Sequence, residues 1–578
     1  MKINEIYKFW LENEYFDKET KEELLDIKDD PKEIEERFYR ELEFGTGGLR
    51  GIIGAGTNRI NKYTIRKASQ GLADYVKTLG GEDRGIVIAY DSRYKSPEFS
   101  MEAAKAFAGN GIKVYLFDEL RPTPELSFAV RYFNAAAGIV VTASHNPKEY
   151  NGYKVYGEDG GQLAVEGANK VISHINEIKD ITKVNLIKEQ DAIKEGLINM
   201  VGKEVDDEYI KRLKTLCVNS ELARETGENF KIIFTPLHGA GNKLVRRILD
   251  EIGFKKVLVV KEQELPDSQF STVKYPNPEE IDAFELAIEM AKKENIDMIF
   301  GTDPDADRVG VIVRNKEGEY VPLTGNQVGC LMLEYILSQK KKNGELPENA
   351  FVVKTIVTTE LAKKIVKAYD VELIEVLTGF KFIGEKIKQL DECGDKKFMF
   401  GFEESYGYLS GTFVRDKDAV LASMLIAEMA AYYKSRDMSL YEGFLEVLEK
   451  YGHSLEGIKY FTLKGKEGLE RINFAMKKLR EEYVVEFGKY KALAVRDYDR
   501  KERIEVDSGV REKISLPQSN VLYYELKDGE WFCIRPSGTE PKIKVYFGVT
   551  GSSMDESKEK LADLQDNVLS VIEKMLFD

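Results

Sequence analysis

Ala135-Ala136-Ala137-Gly138-Ile139-Val140-Val141-Thr142-Ala143-Ser144-His145-Asn146-Pro147 is a small apolar run that ends abruptly in hydroxyl, imidazole and amide side chains. The run is predicted to be a buried strand, so Ser144 is delivered to a loop at the strand's exit, where free backbone amides can meet an anion. A serine hydroxyl is a poor nucleophile until a base, a cation or a metal stands beside it. His145, Lys154 and the acidic stretch at 303–307 are candidates for that neighbour. Ser, Asn and Pro are also ordinary turn residues, so the stretch has to be read with the rest of the chain.

Working outward, short apolar runs that end in polar loops recur in pairs: 85–89 with 138–141, 231–234 with 297–300, and 351–353 with 397–400. Helical stretches such as 243–252 and 360–368 lie between the members of a pair. This is the rhythm of three α/β units with partly parallel sheets. The second strand of each pair leads into a charged or hydroxyl-rich loop, at 142–147, 301–308 and 401–407. Ligands of open α/β sheets collect beyond the carboxyl ends of strands, so the three loops are expected to line one cleft. Residues 1–43 read as surface helices and 170–225 as charged helix with little strand. Strands near 521–524, 531–534 and 544–547, followed by a helix from about 554, indicate a smaller α+β domain. The expected fold is therefore α/β: three similar domains with mixed, partly parallel sheets, and a C-terminal α+β domain, around a central cleft. Expected boundaries are 1–203, 204–322, 323–455 and 456–578.

Composition narrows the class. The 578 residues are 43% hydrophobic and 11% aromatic, more than one core holds. A net charge of −15, from 85 basic and 100 acidic residues, argues against nucleic acid, whose backbone needs a broad positive surface. Cys217, Cys330, Cys393 and Cys533 show no CxxC spacing, so neither a disulfide scaffold nor a structural zinc is expected. The opening residues lack a signal-peptide core, and the longest apolar stretch, 419–433, is broken by Glu428 and falls short of the ~20 residues of a membrane span. A cytoplasmic protein without membrane or nucleic-acid partners is the expectation.

Four further motifs carry chemistry. Gly45, Gly47, Gly48 and Gly51 surround Arg50, which combines close backbone approach with a fork of donors suited to phosphate. Gly301-Thr302-Asp303-Pro304-Asp305-Ala306-Asp307-Arg308 places three carboxylates at alternate positions, a set of oxygens that suits Mg²⁺. An EF-hand would need Gly and Glu where Arg308 and Arg314 stand, so that reading fails. Arg535-Pro536-Ser537-Gly538-Thr539-Glu540-Pro541 fits a phosphate monoester. Gly401-Phe402-Glu403-Glu404-Ser405-Tyr406-Gly407 offers carboxylates and a hydroxyl to sugar hydroxyls.

Together and in this order, the TASHNP, DPDADR, FEES and RPSGTEP loops resemble those of the α-D-phosphohexomutases, the phosphoglucomutase and phosphomannomutase superfamily, over about residues 44–546. The FEES form and the chain length look most like its bacterial phosphoglucomutases and their phosphopentomutase-like relatives. The resemblance implies that Ser144 is the phosphorylated serine and that Asp303, Asp305 and Asp307, with the serine phosphate, hold Mg²⁺. It implies that Arg50, His145, Lys154, Arg308 and Lys354 contact phosphate or handle protons. Thr378, Gly379, Lys381, Glu403, Ser405, Arg415 and Lys417 would recognise the sugar, and Arg535, Ser537, Gly538 and Thr539 the phosphate that is not reacting. The implied substrates are small sugar phosphates, with glucose 1,6-bisphosphate as intermediate and activator, in a monomer or homodimer. Pentose phosphates and net bisphosphate synthesis stand as the rival enzymatic readings. His238 is expected to make a structural hydrogen bond.

Overall fold

The computed structural model describes residues 3–45, 47–463, 465–481, 484–537 and 542–577. By packing, the chain divides into two units, Met1–Val328 with Phe380–Tyr441, and Gly329–Gly379 with Glu442–Asp578.

In the first unit, one sheet comprises β1 (Gly48–Ile52), β2 (Ile86–Tyr90), β3 (Val114–Phe117), β4 (Ala137–Val141), β5 (Tyr150–Gly157) and β6 (Ile198–Val201), in the order β1-β5-β4-β2-β3-β6. β2 runs parallel to β3 and β4, and β3 parallel to β6, while β5 lies antiparallel between β4 and β1. Every residue of β4 is buried, as a strand covered by helices on both faces requires. β6 sits in the stretch read as helical; Ile198-Asn199-Met200-Val201 is too short and too polar to announce a strand, and its partner β3 lies more than eighty residues upstream. The helix Lys62–Thr78 starts at a capping box in which Asn61 and Thr64 satisfy each other's backbone amides. The three N-terminal helices, within residues 3–38, close over an aromatic cluster of Trp10, Phe16, Phe38 and Tyr63.

A second sheet repeats the plan with β7 (Lys231–Thr235), β8 (Lys256–Val259), β9 (Met298–Thr302), β10 (Val309–Arg314) and β11 (Tyr320–Leu323), in the order β11-β10-β9-β7-β8. β7 is parallel to both β8 and β9. The first unit also holds the antiparallel pair β14 (Lys397–Glu403) and β15 (Gly407–Leu409), which follow β12 (Ala350–Thr355) and β13 (Glu372–Val376) in the chain. Its apolar helix Ala419–Lys434 is buried almost all round, and the Glu428 carboxylate within it accepts the amides of Val218, at 3.1 Å, and Asn219. A core helix, not a membrane span, explains that stretch. Among the described residues no helix is long and apolar enough to cross a membrane.

The second unit contains β12 (Ala350–Thr355), parallel to β13 (Glu372–Val376), and a seven-stranded antiparallel sheet that begins with the long strand His453–Thr462. The helices Gly465–Glu481 and Met554–Phe577 pack on it around Phe532, Ile543, Leu564 and Ile572. The strand His453–Thr462 straddles the expected seam at 455/456. All four cysteines are free thiols.

Candidate active site

Two strand exits of the first unit meet. Ser144 follows β4, with its backbone at φ 51° and only 3% of its surface exposed. A non-glycine residue in that left-handed region carries a cost on the order of 1 kcal/mol or more, so surrounding contacts must hold it. Asp303, Asp305 and Asp307 follow β9, all buried. The Ser144 hydroxyl donates to Asp303 Oδ2 at 2.6 Å and lies 3.1 Å from His145 Nδ1. Gly152 on β5 underlies the serine loop so closely that a Cβ there would stand 2.3 Å from the Thr142 carbonyl oxygen.

The acidic loop is tied to both sheets. The amides of Asp307 and Arg308 donate to Asp303 Oδ1 at 3.1 and 3.0 Å, which folds the loop onto its own first carboxylate. Asp305 is clasped by Thr123, whose hydroxyl donates to Oδ2 at 2.7 Å and whose amide donates to the Asp305 carbonyl at 2.8 Å. Thr123 opens the helix Thr123–Tyr132, so the positive end of that helix faces the acids. Lys154, from β5, donates to Asp305 Oδ2 at 2.6 Å and to Asp307 Oδ2 at 3.1 Å. Lys417 Nζ lies 3.3 Å from Asp307, 3.4 Å from Asp416 and 3.9 Å from Glu403. Arg308 pairs with Glu279, and Arg50 donates to Asn146 Oδ1 at 3.0 Å.

Charge is unevenly settled across these groups. Burial raises the Asp303 carboxyl well above its ordinary range, and Asp305 and Asp307 add to the rise. For Asp307 burial acts in the same sense, but Lys154, Lys417 and Arg308 outweigh it and hold the carboxyl low. Burial opposes charge on Lys154, yet Asp305 and Asp307 keep the ammonium above its usual value, opposite to a lysine made basic by a closed apolar cleft. His145 is pushed well below the imidazole range by burial, then by Arg308 and Arg50. Glu403 is pushed up to about 7 by burial, against the pull of Lys417.

The three aspartates offer one oxygen each within 4.8 Å of one another, and this group could hold a metal ion. Asp305 Oδ1 and Asp307 Oδ1 are buried and have no hydrogen-bond partner. Unsatisfied buried carboxylate oxygens are costly, and a hard cation is the partner their chemistry fits.

The structure thus gathers Ser144, His145, Lys154, Arg50, Arg308, Glu403, Lys417 and the three aspartates in one unit. Ser405 neighbours Glu403. Arg415 also belongs to this unit but gives its Nη2 to Asp391 at 2.9 Å, while its Nε and Nη1 are buried without a hydrogen-bond partner. Lys381 lines a cavity of 440 Å³ together with Tyr75, Gln162 and Phe382. Lys354, Thr378, Gly379, Arg535 and Ser537 lie in the second unit. Lys354 is 0% exposed there, bound to Glu375 at 2.9 Å and Glu360 at 3.1 Å. Gly538 and Thr539 lie outside the described residues. His238 is held between the Leu265 carbonyl and the Thr272 hydroxyl.

Sequence reasoning did not single out Asp91, Arg93, Thr123 or Asp416. Asp91 and Arg93 follow β2 as Ser144 follows β4, and the strand-exit rule applied to Tyr90-Asp91-Ser92-Arg93 finds them. Asp416 accepts from Tyr156 at 2.7 Å and Gln162 at 3.0 Å, contacts some 250 residues apart that no local pattern signals.

Comparison with known proteins follows the same plan. Models of the phosphoglucomutase/phosphomannomutase family match in sequence order: α/β/α domain I at residues 41–182, domain II at 207–318, domain III at 324–451 and the C-terminal domain at 472–569. A phosphoglucomutase of Staphylococcus aureus is 38% identical over 555 residues, 96% of this chain and 97% of its own. One from Staphylococcus haemolyticus is 37% identical over 527 residues, 91% of this chain and 94% of its own. Among solved structures, the parafusin phosphoglucomutase of Paramecium in its open form superposes with a TM-score of 0.69 at 16% identity, covering 93% of this chain and 96% of that one. A phosphoglucomutase/phosphomannomutase family protein of Burkholderia thailandensis gives 0.64 at 19% identity, covering 92% and 97%. At these identities the two structures speak for the fold.

Proposed function

The chain belongs to the phosphoglucomutase/phosphomannomutase family, and from that premise we propose that it interconverts glucose 1-phosphate and glucose 6-phosphate, with Ser144 carrying the phosphoryl group between the two positions. The observation that carries this reading is the 2.6 Å contact between the Ser144 hydroxyl and Asp303, beside two buried carboxylate oxygens that lack hydrogen-bond partners.

In the proposed cycle, phosphorylated Ser144 faces a free hydroxyl of the sugar monophosphate. The bond from Oγ to phosphorus breaks as a bond from the sugar oxygen to phosphorus forms, giving glucose 1,6-bisphosphate. The displaced hydroxyl proton passes to His145, which burial keeps neutral, while the Lys154 ammonium, held charged by Asp305 and Asp307, lends a proton to the departing Ser144 oxygen and takes it back in the second transfer. The sugar turns over, its other phosphate returns to Ser144, and the proton goes back to the oxygen that is freed. Asp303, Asp305 and Asp307 would hold Mg²⁺, which when bound supplies positive charge to the phosphoryl oxygens. Arg50 and Arg308 add guanidinium charge, in a reaction whose catalysis is chiefly positioning and electrostatics. Glu403, Ser405 and Lys417 are proposed to hold sugar hydroxyls, with Thr378, Gly379, Lys381 and Arg415. Arg535, Ser537, Gly538 and Thr539 are proposed for the distal phosphate, and Lys354 for a supporting charge.

Intact-protein mass spectrometry paired with a substrate panel tests the reading. The expected result is one added phosphate on the wild-type protein, absent from Ser144→Ala, and the highest kcat/KM on glucose 1-phosphate among glucose, mannose and ribose phosphates. A Ser144→Ala protein that still turns over, or a clear preference for ribose phosphate, overturns it.

A further inference from the structure

Arg93 donates to four backbone carbonyls at and just beyond the serine loop. It is 1% exposed and stands just beyond β2. Its Nη1 donates to the carbonyls of Pro147 at 2.8 Å and Tyr150 at 3.0 Å, and its Nη2 to those of Ser144 at 2.5 Å and Asn146. Four carbonyls, three of the serine loop and one at the start of β5, converge on one guanidinium, an arrangement that a planar fork of fixed donors supports and a lysine ammonium does not.

A second layer backs this contact. Asp91 Oδ2 lies 3.4 Å from Arg93 Nε and accepts the Thr142 hydroxyl at 2.6 Å. Asp91 Oδ1 accepts the Arg93 amide and the Ser96 hydroxyl, both at 2.9 Å. Thr142 Oγ1 accepts the Ser144 amide at 2.7 Å. The amide and the carbonyl of Ser144 are therefore both gripped by the same shell. Over the guanidinium lies the ring of Phe270, 5.1 Å from its carbon, itself buried and with its backbone at φ 47°.

This shell explains how Ser144 remains at φ 51°, a conformation its own chemistry disfavours. A relaxed backbone would swing Oγ away from Asp303. Burying a guanidinium is costly where an apolar side chain would fill the same space, so its hydrogen bonds, not its volume, account for it. We propose that Arg93, backed by Asp91 and Thr142, is a positioning residue: it holds the Ser144 backbone in the left-handed conformation that aims Oγ at the acidic loop. The inference rests on the reading of Ser144 as phosphoryl carrier.

The test uses the full chain with Mg²⁺ and three variants, Arg93→Lys, Thr142→Val and Thr142→Ser. kcat and KM for glucose 1-phosphate, phosphate on the intact protein and Tm are measured for each. A displaced nucleophile costs about 100-fold in kcat for Arg93→Lys and Thr142→Val. KM stays within about threefold because neither side chain binds substrate, and Thr142→Ser, which keeps the hydroxyl, returns kcat to within about threefold of wild type. Tm for Thr142→Val shifts by no more than about 5 °C, which separates positioning from folding. Should Arg93→Lys fail to fold, the Thr142→Val and Thr142→Ser pair decides alone. Wild-type kcat in Thr142→Val, or a Thr142→Ser protein as slow as Thr142→Val, overturns the proposal. A wild-type protein with neither turnover nor phosphate sinks the reading of Ser144 itself, and this inference with it.

Discussion

Lys354 is buried and Lys154 largely so, each facing two carboxylates, yet their surroundings differ in one decisive respect. Lys354 meets Glu360 and Glu375 and also donates to the carbonyls of Thr355, at 3.3 Å, and Thr358, at 3.0 Å; Lys363 shares the same two glutamates. That charge is fully answered. Lys154 meets Asp305 and Asp307, but each of those aspartates keeps a second buried oxygen without a hydrogen-bond partner. A saturated network holds a fold together, whereas an under-satisfied one is a place prepared for something else. The comparison separates two lysines that the family resemblance places in one group.

The contrast can be broken or sharpened in four ways. The largest effect belongs to the nucleophile beside the unsatisfied acids: Ser144→Ala should lower kcat by about 10,000-fold or more with Tm preserved, checked by coupled assay and thermal unfolding. Next, Lys354→Met strands two half-buried glutamates and should cost about 3 kcal/mol in urea unfolding; adding Glu360→Gln and Glu375→Gln should recover part of that loss. Smaller again is the response to metal. Mg²⁺ at about 100 times its Kd should stabilise the wild-type protein by about 2.7 kcal/mol, and Asp305→Asn should abolish the gain. The smallest effect sharpens the comparison most directly: the stability lost in Lys154→Met should be recovered by about half on adding Mg²⁺, because a cation can replace an ammonium between Asp305 and Asp307. The same addition should leave Lys354→Met unchanged; equal rescue of both variants would erase the distinction.

Much of the architecture is legible in local pattern. The paired runs 85–89 with 138–141 and 231–234 with 297–300 are neighbouring parallel strands, because buried strands must be apolar along their whole length. The proximity of Ser144 to the acidic loop was expected because both lie at strand exits, and the structure brings Oγ within 2.6 Å of Asp303. What was hidden depends on distance in the chain. β6 gains its identity only from pairing with β3, and the strand His453–Thr462 carries Glu456, Lys459 and Tyr460 because part of it is exposed. The hold of Arg93 on four carbonyls needs the loop already folded before it exists at all. The charge state of Lys154 is hidden for a similar reason: its rise comes from Asp305 and Asp307, some 150 residues away.

The clasp of Thr123 on Asp305 reaches beyond chemistry into modular evolution. A hydroxyl and an amide from one sheet's helix are spent on the metal-type loop of another, so neither segment can be traded between relatives as an independent cassette. Recombinants whose crossover falls between residues 123 and 305 should inherit mismatched halves of this joint unless both parents carry threonine and aspartate there.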